Sequence, residues 1–81
     1  MVIYGSMLCP DCVACCKDLD AAGKAYKFCD FADDLSYLKE FLKIRESDPQ
    51  FDVLRREGKI GIPCILRDDG SITLTWEEFL K

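Results

Sequence analysis

The chain contains no histidine, an absence that removes imidazole general bases, Cys-His nucleophile pairs and His-ligated zinc. It also has no apolar run near the roughly 20 residues that a membrane-spanning helix needs. The opening residues Met1-Val2-Ile3-Tyr4-Gly5 lack the basic start and the long apolar stretch of a signal peptide. Basic residues are outnumbered, 11 against 15 acidic, and scattered rather than clustered. Nucleic acid, whose affinity rests on neutralising phosphates, is therefore not an expected partner. A membrane is not expected either, and the expected compartment is the cytoplasm. No repeat, low-complexity segment or internal boundary divides the 81 residues, so residues 1–81 are expected to form a single domain.

Apolar residues make up 49 % of the chain, ordinary for a globular protein and too many for a disordered one. A chain this short buries only about 60 to 65 % of the surface that its unfolded form exposes, so the core is thin. The unusual feature is six cysteines. In a secreted protein they would suggest a disulfide scaffold. Here Cys9, Cys12, Cys15 and Cys16 crowd into one short segment, which suits catalysis or a metal better than a framework tying distant loops.

Val2-Ile3-Tyr4, ended by Gly5-Ser6, has the pattern of a buried strand entering a loop. From Pro10 the spacing turns helical. Cys12, Cys15, Cys16, Leu19 and Ala22 share one face, Pro10 suits a first helical position and Gly23 suits the residue past the end. A strand over Tyr26 to Asp30 completes a βαβ unit. Asp33, Asp34 and Ser36 are N-cap candidates for a second helix with Leu35, Leu38, Phe41, Leu42 and Arg45 in helical period. Ser47-Asp48-Pro49 interrupts it and caps a restart through Phe51, Val53 and Leu54, ended by Gly58. Ile60 to Leu66 and Ser71 to Leu74, joined by Asp68-Asp69-Gly70, predict an antiparallel hairpin. Thr75 with Glu78 is a capping-box pair, which predicts a short last helix with Trp76, Phe79 and Leu80 packed inward. The predicted order is β-α-β-α-β-β-α, an α/β class.

Cys9-Pro10-Asp11-Cys12 carries the chemistry. Thiol-disulfide exchange needs an accessible thiolate to attack and a second thiol close enough to resolve the mixed disulfide. At a helix start, spacing i to i+3 supplies both. Cys9 as N-cap meets unpaired backbone N–H groups and the positive end of the helix dipole, both favouring its thiolate, while Cys12 lies one turn inward. Cys9 is the expected attacker and Cys12 the resolver. Pro10 stiffens the turn without removing a useful donor, and the Asp11 carboxylate works against the dipole. A second signal is Ile62-Pro63, since proline is disfavoured in a central strand. A cis bond there, at the strand entrance facing the Cys9 loop, leaves the Ile62 backbone to pair with an extended substrate. A trans proline in the preceding loop is the alternative.

On Cys9-Pro10-Asp11-Cys12, Gly61-Ile62-Pro63 and the element order, the chain resembles the glutaredoxins of the thioredoxin superfamily over essentially its whole length. The resemblance implies a thioredoxin-like fold with a four-stranded mixed sheet of order 2-1-3-4, the first two strands parallel and the last two antiparallel to them. It implies Cys9 as nucleophile, Cys12 as resolving thiol and Pro63 as cis-proline, in a monomer that reduces protein or glutathione mixed disulfides. No added cofactor is required, glutathione is a possible co-substrate, and a reductase is a possible electron donor. The sequence departs from the family where glutathione is held. Ser6 stands where a basic residue is usual, Asp11 where an aromatic is usual, and Thr75-Trp76 where a glycine pair is usual, with Glu77 and Glu78 beyond.

Cys15 falls on the core face and Cys29 near the end of the second strand, both in packing roles. Cys16, four residues after Cys12, and Cys64, directly after Pro63, are candidate accessory thiols. Two other classes of function stay open. One is a metal or iron-sulfur module using Cys9, Cys12 and Cys15 or Cys16, which needs a further ligand to close a tetrahedral site. The other is an inactive domain that binds a protein partner through its helices.

Overall fold

The computed structural model describes all residues from 1 to 81. Strand β1 (Val2–Gly5) runs parallel to β2 (Lys27–Asp30), from Val2 opposite Lys27 to Gly5 opposite Asp30. Helix α1 (Pro10–Ala21) makes the crossover. On its other edge β1 pairs antiparallel with β3 (Cys64–Leu66), which pairs antiparallel with β4 (Ile72–Thr73), giving the order β2-β1-β3-β4. The order matches expectation but one direction does not. Only β3 opposes β1, because the hairpin turns β4 back into line with β1.

Strand alternation divides the core in two. Ile3 and Ile65 face one side with Cys15 and Leu19 of α1, flanked by Trp76 and Phe79. Tyr4, Cys64 and Cys29 face the other, with Phe41 and Phe51. Phe41 belongs to α2 (Leu35–Ser47) and Phe51 ends a 3-10 turn (Pro49–Phe51) that leads into α3 (Asp52–Arg56). Asp34 caps α2, accepting from the Ser36 N–H at 2.8 Å, and Asp48 does the same for Gln50 at 2.9 Å. The predicted restart after Pro49 thus forms, as a separate turn and short helix.

Several expected details differ. Leu35 and Leu42 of α2 are exposed, and the packed stripe runs instead through Tyr37, Leu38, Phe41 and Ile44. Both sets satisfy three-to-four spacing, so period alone cannot choose between them. Ala22 is exposed as the C-cap of α1 rather than packed. Strand β3 is shorter than Ile60 to Leu66, since Pro63 has no N–H for a ladder and Gly61 takes a φ of +90°. A Cβ at Gly61 would also stand 2.5 Å from the Phe51 ring. Strand β4 keeps only the middle of its expected span.

The last element is a 3-10 helix (Trp76–Leu80), and the capping box does not form, since the Thr75 side chain makes no cap bond. The Glu78 carboxylate instead accepts from Arg67 Nη2 at 2.8 and 3.1 Å, and the Thr75 N–H that a capping box would use donates to Thr73 Oγ1 at 3.1 Å. Trp76 ties this end to α1 through Asp18 at 3.0 Å, while Leu80 points outward.

Phe41 stacks between Phe31 at 5.3 Å and the edge-on Phe51 at 5.9 Å, fully buried. Phe41→Ala removes the centre of this stack and is expected to cost about 3 to 5 kcal/mol, a large share of the stability of so small a domain. Urea unfolding of the two proteins reads the loss directly.

Candidate active site

The site begins where the central strand stops. Gly5 ends β1, and the loop from Ser6 to Cys9 is tied down by three bonds. The Cys9 N–H donates to the Ser6 carbonyl at 3.0 Å, the Leu8 N–H to Ser6 Oγ at 3.1 Å, and the Met7 N–H to Asp30 Oδ2 at 3.3 Å. Asp30 also accepts from the Ala32 N–H at 2.9 Å, so the end of β2 braces the loop. Cys9 is the N-cap of α1, with extended φ and ψ of −91° and 121°, and Pro10 takes the first helical position. The Cys9 carbonyl accepts from the Val13 N–H at 3.2 Å. Its own side chain makes no cap bond, so the sulfur stays at the helix tip without closing it.

Cys9 is half-buried and Cys12, one turn inward, is wholly buried. The Cys12 sulfur lies so close to the strand that a Cβ on Gly5 would come within 2.6 Å of it. Burial pushes the Cys12 thiol up to about 12; the Ser6 backbone pulls the other way, and Cys9, within hydrogen-bonding reach, adds to the rise. The pair therefore sets a sulfur that solvent reaches beside one held as the protonated thiol.

Cys9 opens onto a groove of about 470 Å³ shared with Asp11, Leu54, Lys59, Ile60, Gly61 and Ile62. The segment before β3, far away in sequence, is thus brought to the cysteine loop. The Ile62-Pro63 bond is cis, with Pro63 buried and Ile62 facing the groove. Asp11 lies exposed in the first turn of α1.

The other four cysteines are buried, and all six are free thiols. Cys15 packs with Ile3, Leu19 and Ile65, and its thiol is pushed up to about 12 by burial, then by Cys16, Glu77 and Asp18. Both candidate accessory thiols are inside. Cys16 is 6 % exposed, its thiol raised by burial against a lowering contact from Tyr26. Cys64, in the core beside Tyr4, is pushed up to about 12 by burial and then by Asp48. No three of the Cys, Asp and Glu side chains are grouped to hold a metal ion. No helix is long and apolar enough to cross a membrane.

Gly5, Asp30, Leu54 and Lys59 were not singled out from the sequence. A glycine directly between a strand and a cysteine loop is a usable signal for the first. The others depend on contacts across 20 or more residues.

A Haemophilus influenzae protein described as an uncharacterized protein is 30 % identical to the chain over 73 residues, 90 % of this chain and 85 % of its own length. The chain belongs to that protein's family. No protein-family model matches the chain. No solved structure matches it.

Two outcomes follow from this geometry. Gly5→Ala forces the Cys12 sulfur off its rotamer, with an expected cost of about 1 to 3 kcal/mol; denaturant unfolding measures it, and unchanged stability would mean that the sulfur moves aside freely. The second concerns alkaline pH. Because burial raises the folded-state thiol of Cys64 from an ordinary 9.0 to about 12, the unfolded chain loses that proton first. Its stabilising share is whole below pH 9.0 and drains away towards about 12, at no more than about 1.4 kcal/mol per pH unit. Cys64→Ala should flatten the fall of unfolding free energy between pH 9 and 10.5 by about that slope.

Proposed function

We propose that the chain is a glutaredoxin-like thiol-disulfide oxidoreductase with a thioredoxin-like fold, acting through Cys9 and Cys12. The observation that carries this reading is the pairing at one helix tip of a half-buried sulfur open to a groove with a buried, protonated thiol one turn behind it. The four-stranded order β2-β1-β3-β4 and a cis proline beside the groove agree with the glutaredoxin pattern.

In the forward direction the Cys9 thiolate attacks one sulfur of a substrate disulfide. A Cys9–substrate disulfide forms, the substrate S–S bond breaks, and its other sulfur leaves as a thiolate. The departing thiolate or water takes the proton of Cys12, and the Cys12 sulfur then attacks Cys9. The Cys9–Cys12 disulfide forms and the second substrate thiolate leaves to be protonated. The substrate gains two electrons and the pair loses two. A dithiol reductase, or two monothiols such as glutathione, restores the pair by the reverse exchange. Burial holds Cys12 as the protonated thiol in the resting dithiol, which leaves Cys9 as the sulfur placed to attack.

The setting is a reducing cytoplasm, the working unit a monomer, and the substrates protein or glutathione mixed disulfides. No cofactor beyond thiols enters the cycle.

Cys12→Ser should stop the cycle at the mixed disulfide. Mixed with an excess of bis(2-hydroxyethyl) disulfide, this variant is expected to gain one hydroxyethylthio group, mapped to Cys9 by mass spectrometry. Cys9→Ser should gain none and lose all turnover. Labelling at a cysteine other than Cys9, or turnover retained in Cys9→Ser, overturns the proposal.

A further inference from the structure

Beside the Cys9 groove lies a second cleft of about 340 Å³, and the two share Gly58, Lys59, Ile60 and Ile62. Its apolar lining is Phe31, Leu38, Phe41, Leu42, Ile60 and Ile62. We infer that this cleft receives an apolar side chain of the polypeptide whose disulfide Cys9 attacks. The substrate class is then a protein disulfide with an aliphatic or aromatic residue near its cysteine, in preference to glutathione. The inference rests on the exchange reading above and adds to it the selectivity of the site.

Three observations carry it. First, the cleft is continuous with the reacting sulfur through the Lys59 to Ile62 segment, so a chain lying along that segment reaches both. Second, the surface around Cys9 is apolar on both sides. Leu8, its neighbour in sequence, is 91 % exposed, Met7 is exposed, and Ile60 is 59 % exposed on the facing segment. Isolated exposed apolar residues are ordinary, but these gather about one sulfur.

Third, the charges do not suit an anionic tripeptide. The charged groups lining the Cys9 groove are Asp11 and Lys59, and Lys59 is paired with Glu57 at 3.0 Å. Arg45, which lines the apolar cleft, spends Nε on the Ile60 carbonyl at 3.0 Å and Nη2 on the Lys59 carbonyl at 2.7 Å. Arg45 is engaged in shaping the segment and Lys59 pairs with Glu57, whereas glutathione brings two carboxylates that each need a partner. An apolar side chain needs only desolvation.

The test compares mixed disulfides that share one leaving group, 5-thio-2-nitrobenzoate, released in proportion to attack by Cys9. Three carriers are used: a five-residue peptide with leucine two positions from its cysteine, the same peptide with aspartate there, and glutathione. Each rate is divided by that with bis(2-hydroxyethyl) disulfide. The leucine peptide is expected to react about tenfold faster than the aspartate peptide, equivalent to about 1.4 kcal/mol, and faster than glutathione. In Leu42→Asp, at a partly exposed position of the cleft, the leucine preference should fall towards one. Equal rates on the two peptides in the native protein overturn the inference without recourse to the variant. So does a faster glutathione carrier, which would mean that Lys59 leaves Glu57 to hold a carboxylate. No reaction with any disulfide, the small neutral one included, would instead remove the exchange reading itself.

Discussion

The Cys12 sulfur rests against the backbone of Gly5 at a separation that admits no Cβ, and the geometry of the site descends from that contact. Strand β1 is paired on both edges up to Tyr4, and Gly5 at its end is still paired with Asp30 of β2. Seating the first turn of α1 on that point fixes where the helix starts. The N-cap then falls at the rim, and Cys9 is held there by the Ser6 carbonyl rather than by a bond of its own sulfur. A bulkier residue at either contact would lift the helix start away from the strand and change the exposure of both thiols together.

The remaining cysteines show how a small domain uses thiols as core atoms. Cys29, Tyr4 and Cys64 stand abreast on neighbouring strands. Two strand spacings, about 9 to 10 Å, separate the outer pair, beyond the span of a disulfide. Burial raises every one of these thiols, so they remain protonated and weakly nucleophilic at neutral pH. Cys9 is the one cysteine that the core does not enclose. The Tyr4 hydroxyl, donating to Glu40 at 3.1 Å, satisfies the polar end of the same layer and joins α2 to the central strand.

The segment from Gly58 to Pro63 has no regular hydrogen-bonded structure and is shaped from outside. Arg45 of α2 holds two of its carbonyls, and Gly61 yields room to the Phe51 ring. Irregular backbone held by a rigid scaffold is where binding surfaces are commonly built, because its groups are not consumed by a ladder. Both clefts border this segment, which makes α2 and the 3-10 turn after it part of the site's support.

Local spacing and end chemistry determined much of this protein without reference to the fold. The βαβ opening, Cys9 as N-cap with Pro10 behind it, the inward turn of Cys12 and a cap for α2 among Asp33, Asp34 and Ser36 could be read from neighbouring residues, because each depends on chain geometry within one or two turns. The strand order 2-1-3-4 came through resemblance rather than from the residues themselves. Tertiary structure alone decided which stripe of α2 packs, since two stripes share the same period, and which partner Glu78 takes, since Arg67 reaches it from just past the end of β3. It also decided that the Cys12 sulfur lies against Gly5 and that Ile62 borders the cysteine groove. These outcomes turn on distances between segments far apart in the chain, and no local preference encodes a distance of that kind.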